Sequence, residues 1–437
     1  MASERPVRVA VVGAGPAGFF TAEALLKQTS RLFEVDLIER LPTPFGLVRS
    51  GVAPDHQKLK SVTKAFEKIA KLPRFRFLGN VTLGKDVTAD ELATHYDQVV
   101  YAVGSATDRH VGIPGEKLTG SHAATEFVGW YNAHPDFHEA HFDLNVERAV
   151  VIGVGNVALD VARVLLRDRD ELAKTDIFGP ALEALTKSPI REVVLIARRG
   201  PAQAAFTPVE LEDIAELPSI GIQLDAKQLE VTESELVHGD AAARRNVEVM
   251  RAISANPRKG DRTLRIEFLS SPIELLGDQR VKSIRLERNE LVNGKARGTG
   301  KFFELETGLV LRSIGYFGEP LPGVPFDSTT GTIPNHDGRV LPRIYAVGWI
   351  RRTATGVIGT NKVDAHTVVE KMVEDAPSLP DVPRSGISGL LEQRGVRVTT
   401  WDDWSKLDRL EVSAGQKLGK VREKFSSVSA MLKALLV

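Results

Sequence analysis

The stretch Arg8–Phe20, RVAVVGAGPAGFF, decides how the rest of the chain is read. An apolar run ends in Gly13, Gly15 and Gly18 at GxGxxG spacing and opens into the helical pattern TAEALLKQ. A strand, a tight glycine turn and a helix start set bare backbone N–H groups, and the positive end of the helix dipole, against a phosphate. A side chain at the middle glycine would hold a pyrophosphate away. Glycine turns are common, so the flanking sequence has to decide. A second apolar run, FEVDLIER, follows the helix, and its Glu39 stands 21 positions past Gly18. That is where a carboxylate accepting from a ribose hydroxyl belongs.

The unit then recurs. ERAVVIGVGNVALDVARVLLR gives a second apolar strand, Gly153, Gly155 and Ala158 at the same spacing, and an amphipathic helix. Two copies in one chain imply two bound dinucleotides. The next strand of this copy, REVVLIARRG, comes late: Arg198 is 40 positions past Ala158. The helix-rich insertion DRDELAKTDIFGPALEALTKSP accounts for the delay. The strand ends in Arg198 and Arg199, not in an acid. A carboxylate repels a 2′-phosphate, whereas paired guanidiniums match its oxygens, so the second cofactor is expected to be NADP. Pro16 gives the first turn the form GAGPAG, which resembles the FAD-binding turn of flavoproteins with two dinucleotide-binding domains. The fold class that follows is α/β, two Rossmann-like dinucleotide-binding domains with the NADP domain inserted into the FAD domain.

Between the two copies, LPTPFGLVRSGVAPDHQKLKSVTKAFEKIA starts as a Pro/Gly-rich loop. It continues with Leu59, Val62, Ala65, Phe66 and Ile69 at helical spacing, and His56 stands at the helix entry. A lone histidine is more often structural than catalytic, so His56 needs context. FRFLGNVTLG reads as a strand with Val81 at its edge, and DQVVYAVGSATDR as a buried strand ending at Gly104. PVELEDI reads as a helix start carrying Glu210. Strand-like pieces fill the chain from Asp225 to Gly315. RIYAVGWIRRTATGVIGTNKVDAHTVVEKM is a strand, turn and helix expected to rejoin the first sheet, and short helices close the chain on that lobe. The expected division is 1–105 and 326–437 for the FAD domain and 106–325 for the NADP domain.

Composition narrows the chemistry. Lys plus Arg and Asp plus Glu are both 57 among 437 residues, so no global field draws the chain to nucleic acid or a membrane. A local basic run, Arg244, Arg245, Arg251, Arg258, Lys259 and Arg262, reads as a solvated helix face or as a docking patch for an acidic partner. There is no cysteine, which excludes disulfides, thiolate-bound zinc, a redox CxxC pair and Cys-ligated iron–sulfur clusters on this chain. No metal site is expected. No apolar run reaches the length of a membrane span. Arg5, Arg8 and the following apolar segment mimic a secretory signal, but its removal would delete the glycine turn, so a cytoplasmic protein is expected.

The motifs GAGPAGF, PFGLVRSGVAPDHQKLK, GVGNVALD, RRGPAQAAFTPVEL, LRSIGYFG and TGVIGTNK together resemble the adrenodoxin reductase family of ferredoxin–NADP reductases over essentially the whole chain. The resemblance implies FAD contacts at Ala17, Glu39, Leu47, Val81, Trp349, Gly356, Val357 and Ile358. It implies NADP contacts at Val154, Gly155, Asn156, Val157, Arg198, Arg199, Glu210 and Gly356. Val154 stands where some relatives carry a polar residue, which leaves only backbone contact there. Trp349 follows Gly348 where related flavoproteins have an acid. The implied activity is hydride transfer from NADPH to FAD and single-electron transfer to a ferredoxin-type iron–sulfur protein, with Arg244 and Arg245 as docking residues and the chain a monomer or weak dimer. His56, Asp160 and Glu210 are expected as the polar groups near the reacting rings. The lack of cysteine rules out a disulfide reductase and a glutamate synthase small subunit. A flavin monooxygenase and a non-catalytic nucleotide sensor are the competing readings.

Overall fold

The computed structural model describes residues 5–232, 241–380 and 384–436. Its strands, in chain order, are β1 Val7–Val12, β2 Phe33–Glu39, β3 Phe75–Gly79, β4 Gln98–Tyr101, β5 Thr107–Asp108, β6 Ser121–Ala123, β7 Arg148–Ile152, β8 Glu192–Ile196 and β9 Ile220–Leu224. They continue with β10 Arg262–Glu267, β11 Ser270–Leu276, β12 Ser283–Val292, β13 Lys295–Glu306, β14 Leu309–Arg312, β15 Tyr316–Phe317, β16 Arg339–Leu341 and β17 Ile344–Ala346.

The apolar runs around the first glycine turn become strands buried on both faces, as parallel sheets require. They form a sheet in the order β16-β17-β4-β1-β2-β3. All its pairs are parallel except β16 with β17. β17 returns from late in the chain to lie beside β4, as the sequence implies. The helices Pro16–Leu26 and Ile358–Asp375 pack together on this sheet. The second copy builds another parallel sheet, β6-β14-β7-β8-β10-β9. The two chain crossings between the sheets run side by side, because β5 pairs antiparallel with β15. A separate antiparallel sheet, β11-β12-β13, flanks the second one.

Some local readings change. The helix expected from Leu59 onward breaks into Gln57–Lys60 and Thr63–Ala70. Phe66 and Ile69 are buried, but Leu59 is exposed. Lys60 takes the inward position instead, where Asp176 neutralises it. β3 stops at Gly79, and Val81 lies beyond it, buried, with its N–H on the Glu39 carbonyl. β13 escapes sequence reading because its residues are mostly exposed, with apolar alternation only at its end, where Phe303 and Leu305 turn inward. The closing segment is not a set of short helices on one lobe. Trp401–Lys417 is a 17-residue helix with Trp404 and Leu407 buried, and the chain after it crosses to the other lobe. There Val421 N–H donates to Lys174 O and Lys420 Nζ to Ile177 O.

That crossing ends in a buried charge cluster in which one carboxylate serves two ammonium groups. Asp176 is 2.7 Å from Lys60 Nζ and 2.9 Å from Lys424 Nζ. Burial opposes the Asp176 carboxylate, but Lys424 and Lys60 outweigh it and hold it well below the usual range. Burial pushes Lys424 down to about 7 against the pull of Asp176. Asp176→Asn would leave two buried cations without a counter-charge. The expected loss is about 3–5 kcal/mol, read as a lower denaturant midpoint with an unchanged slope.

Candidate functional site

The first glycine turn has the shape its spacing demands. Gly13 has φ +108°, and a Cβ on it would lie 2.5 Å from Ala102 O, while one on Gly18 would lie 2.0 Å from Gly13 O. At Gly15 a Cβ would meet nothing within 4 Å. Gly15 caps Pro16–Leu26 without a side-chain hydrogen bond, so the helix start offers its N–H groups to an external anion. Glu39 accepts from Ala14 N–H at 2.9 Å and from Leu41 N–H at 3.1 Å. Burial raises its pKa against those bonds. Each oxygen keeps a second lone pair for a hydroxyl.

Two stretches next to residues expected around FAD pack on this turn. Gly46, just before Leu47, packs against the Gly15 backbone, and Gly348, just before Trp349, packs against Ala17. Asp364 Oδ2 accepts from Gly348 N–H at 2.5 Å, and Trp349 Nε1 donates to Thr355 O at 3.2 Å. Gly356 has φ +80°, Val357 caps the helix Ile358–Asp375, and Gly359 opens to free space. The residues present therefore fit a dinucleotide: a turn with space in front of its middle glycine, an acid behind it and a second helix start beside it.

The second turn repeats the geometry. Gly153 has φ +129° and approaches Ser313 O, while Gly155 is open and caps Asn156–Leu166 without a side-chain bond. Val154 O accepts from the N–H groups of Ala205 and Phe206, and Asn156 Oδ1 accepts from Thr207 N–H at 2.8 Å. These bonds set the start of the helix Pro208–Ala215, which carries Glu210 in its first turn, beside the glycine turn. Arg198 and Arg199 follow β8 and are exposed.

His56, Asp160 and Glu210 come together from three parts of the chain. His56 Nε2 lies 3.1 Å from both Asp160 Oδ1 and Glu210 Oε2. Burial works against the charged imidazole, but the bonds to Asp160 and Glu210 outweigh it and push its pKa up to about 9. Behind them sits Arg163, almost wholly buried, 2.7 Å from Asp55 and from Asp160 and 3.5 Å from Glu210. Arg167 also reaches Asp55, at 2.9 Å. Burial opposes the charge of Asp55 and Glu210, yet Arg163 and His56 respectively hold both below the usual carboxylate range. Sequence reading missed Asp55 and Arg163. The available signals were an acid directly before His56 and an arginine inside the apolar run VARVLL. His56, Glu210 and Asp213 present ligand atoms within 4.8 Å of one another, but the Arg163 guanidinium on Glu210 disfavours a cation there.

The basic run is largely spent internally. Arg245 pairs with Glu212 and Glu248, and Arg251, Arg258 and Arg262 donate to backbone carbonyls.

Residues 7–216 match the model of the pyridine nucleotide-disulphide oxidoreductase family. The chain is 46% identical to NADPH-ferredoxin reductase FprA of Mycobacterium tuberculosis, over 98% of this chain and 99% of that protein. It is 40% identical to the mitochondrial NADPH:adrenodoxin oxidoreductase of Arabidopsis thaliana, over 99% and 96%. The solved structure of M. tuberculosis FprA in complex with NADPH superposes with a TM-score of 0.95 at 46% identity, covering 99% of this chain and all of that one.

A folded-state pKa near 9 lies above the ordinary 6.5, so the stabilisation from charged His56 is complete below about 6.5 and is lost as pH rises through about 9. NMR of histidine-labelled protein is expected to show His56 titrating near 9. The double variant Asp160→Asn, Glu210→Gln is expected to bring it back to 6.5 or below.

Proposed function

The chain belongs to the family of NADPH-ferredoxin reductases and NADPH:adrenodoxin oxidoreductases, and from that premise we propose that it oxidises NADPH and passes the electrons singly to a ferredoxin-type iron–sulfur protein. The observation that carries this reading is His56 held between Asp160 and Glu210 where the two glycine-turn lobes meet. Bound FAD supplies the conversion of a hydride into single electrons. Its binding falls to Gly13, Gly15, Ala17, Gly18, Glu39, Leu47, Val81, Trp349 and the turn Gly356, Val357, Ile358. NADP falls to Gly153, Val154, Gly155, Asn156 and Val157, with Arg198 and Arg199 on the 2′-phosphate and Glu210 beside the nicotinamide.

The chain's own contribution is alignment and charge. His56 stays protonated at neutral pH because two carboxylates share its Nε2. Its Nδ1 makes no hydrogen bond among the described residues, and this N–H is the donor we assign to the reacting rings. Asp160 and Glu210 fix the ring plane, so the cofactors meet a preset donor. The lack of cysteine removes the dithiol chemistry in the matched family's description. We place the FAD domain at 1–105 and 326–437 and the NADP domain at 106–325, and read the protein as cytoplasmic, a monomer or weak dimer. The iron–sulfur protein docks at Arg244 and Arg245.

Anaerobic stopped-flow tests the assignment. Flavin bleaching is expected to be fast with NADPH and much slower with NADH, and added ferredoxin should restore the colour. Reoxidation only by oxygen with a small substrate would make the chain a monooxygenase, and binding without bleaching would make it a sensor. His56→Ala is expected to slow hydride transfer roughly 10²-fold while FAD content holds. Changing Arg244 and Arg245 to Glu is expected to slow ferredoxin reduction and flatten its salt dependence, with bleaching by NADPH unchanged.

A further inference from the structure

We propose that Asn289, on the three-stranded antiparallel sheet, is a positioning residue for the choice between NADPH and NADH. It acts by fixing the backbone from which Arg198 and Arg199 project, and it rests on the reading of that arginine pair as the 2′-phosphate site. Asn289 is 8% exposed. Its Nδ2 donates to Arg198 O at 2.8 Å and to Ser271 Oγ at 2.7 Å, so both of its amide hydrogens are used. The chain at the start of β11 fastens the turn twice more: Leu269 N–H donates to Arg199 O at 3.1 Å and Ser270 N–H to Ala197 O at 2.9 Å. Asn289 N–H in turn holds Leu269 O at 2.7 Å, and Leu269 adopts φ +50°, a conformation that the neighbouring bonds must maintain. The register of β12 against β13 shifts between Glu287 and Asn289, and such a bulge re-aims a side chain.

The two guanidiniums are exposed and long, so their own side chains do not fix where they reach. A backbone held at three successive carbonyls does. Holding the fork in place lowers the ordering cost of gripping a phosphate, and a ligand without the 2′-phosphate gains nothing from it. This gives β11 and β12 a task in the reaction.

The test compares Asn289→Leu, Ser271→Ala and Arg198→Gln with the parent in the FAD-loaded enzyme. Flavin reduction by NADPH and NADH is followed by stopped-flow, and binding of 2′-AMP and 5′-AMP by calorimetry. Loss of one net hydrogen bond predicts about a fivefold rise in the NADPH KM and the 2′-AMP Kd for Asn289→Leu. The limiting rate, the NADH parameters and 5′-AMP binding should hold. Ser271→Ala removes only the outer partner and should give a smaller change of the same sign, which keeps the test open if Asn289→Leu folds poorly. Equal losses for NADPH and NADH, or no change while Arg198→Gln loses 2′-AMP, would overturn the role of Asn289 alone. Undiminished 2′-AMP binding by Arg198→Gln would overturn the arginine reading and the inference with it.

Discussion

The arrangement depends on one buried guanidinium. Arg163 is 2% exposed and lies between Asp55, from the loop that follows the first glycine unit, and Asp160 on its own helix. An unpaired charge at such a depth costs several kcal/mol, so neither carboxylate can move away without leaving a charge in low dielectric. The pairing therefore ties a loop of one lobe to a helix of the other at the point where His56 must stand. His56 is the residue next to Asp55, and anchoring Asp55 fixes it. Lys60 and Lys424 on Asp176, and Arg49 on Glu411 at 2.5 Å, hold the same loop from its far side. The loop is irregular in backbone but bounded by buried ion pairs at both ends.

What could be read from the sequence was what the chain encodes locally. GAGPAG and GVGN declare their turns because the backbone there demands glycine, and Glu39 is found by counting from the turn. The Arg198–Arg199 pair is visible because it ends a strand. Long-range charge pairing leaves no such trace. Nothing near Arg163 names Asp55, and nothing near Lys60 names Asp176, since each pair is made where the two lobes meet. Leu59 misled for the same reason: its helical spacing is real, but the inward side of that turn belongs to Lys60. In the closing segment, amphipathic spacing shows that a face is buried without showing against what, so its crossing to the other lobe is not legible there. In the basic run, composition counts arginines and does not show that Arg251, Arg258 and Arg262 are engaged with backbone carbonyls.

The charge inventory at the centre also decides what His56 can do. His56, Arg163 and Arg167 face Asp55, Asp160 and Glu210. Three cations against three anions balance only while the imidazole is protonated. Removing that proton would leave a net negative charge in a partly buried cluster, which is why its pKa rises to about 9 in spite of burial. A histidine so held is a poor base at neutral pH and a good donor. The proposed hydride transfer would need no base in the protein, and a residue so held would offer it a fixed positive donor where negative charge accumulates. On the proposed reading the protein would contribute a preset field and a preset donor, and the bond-making would fall to the cofactors.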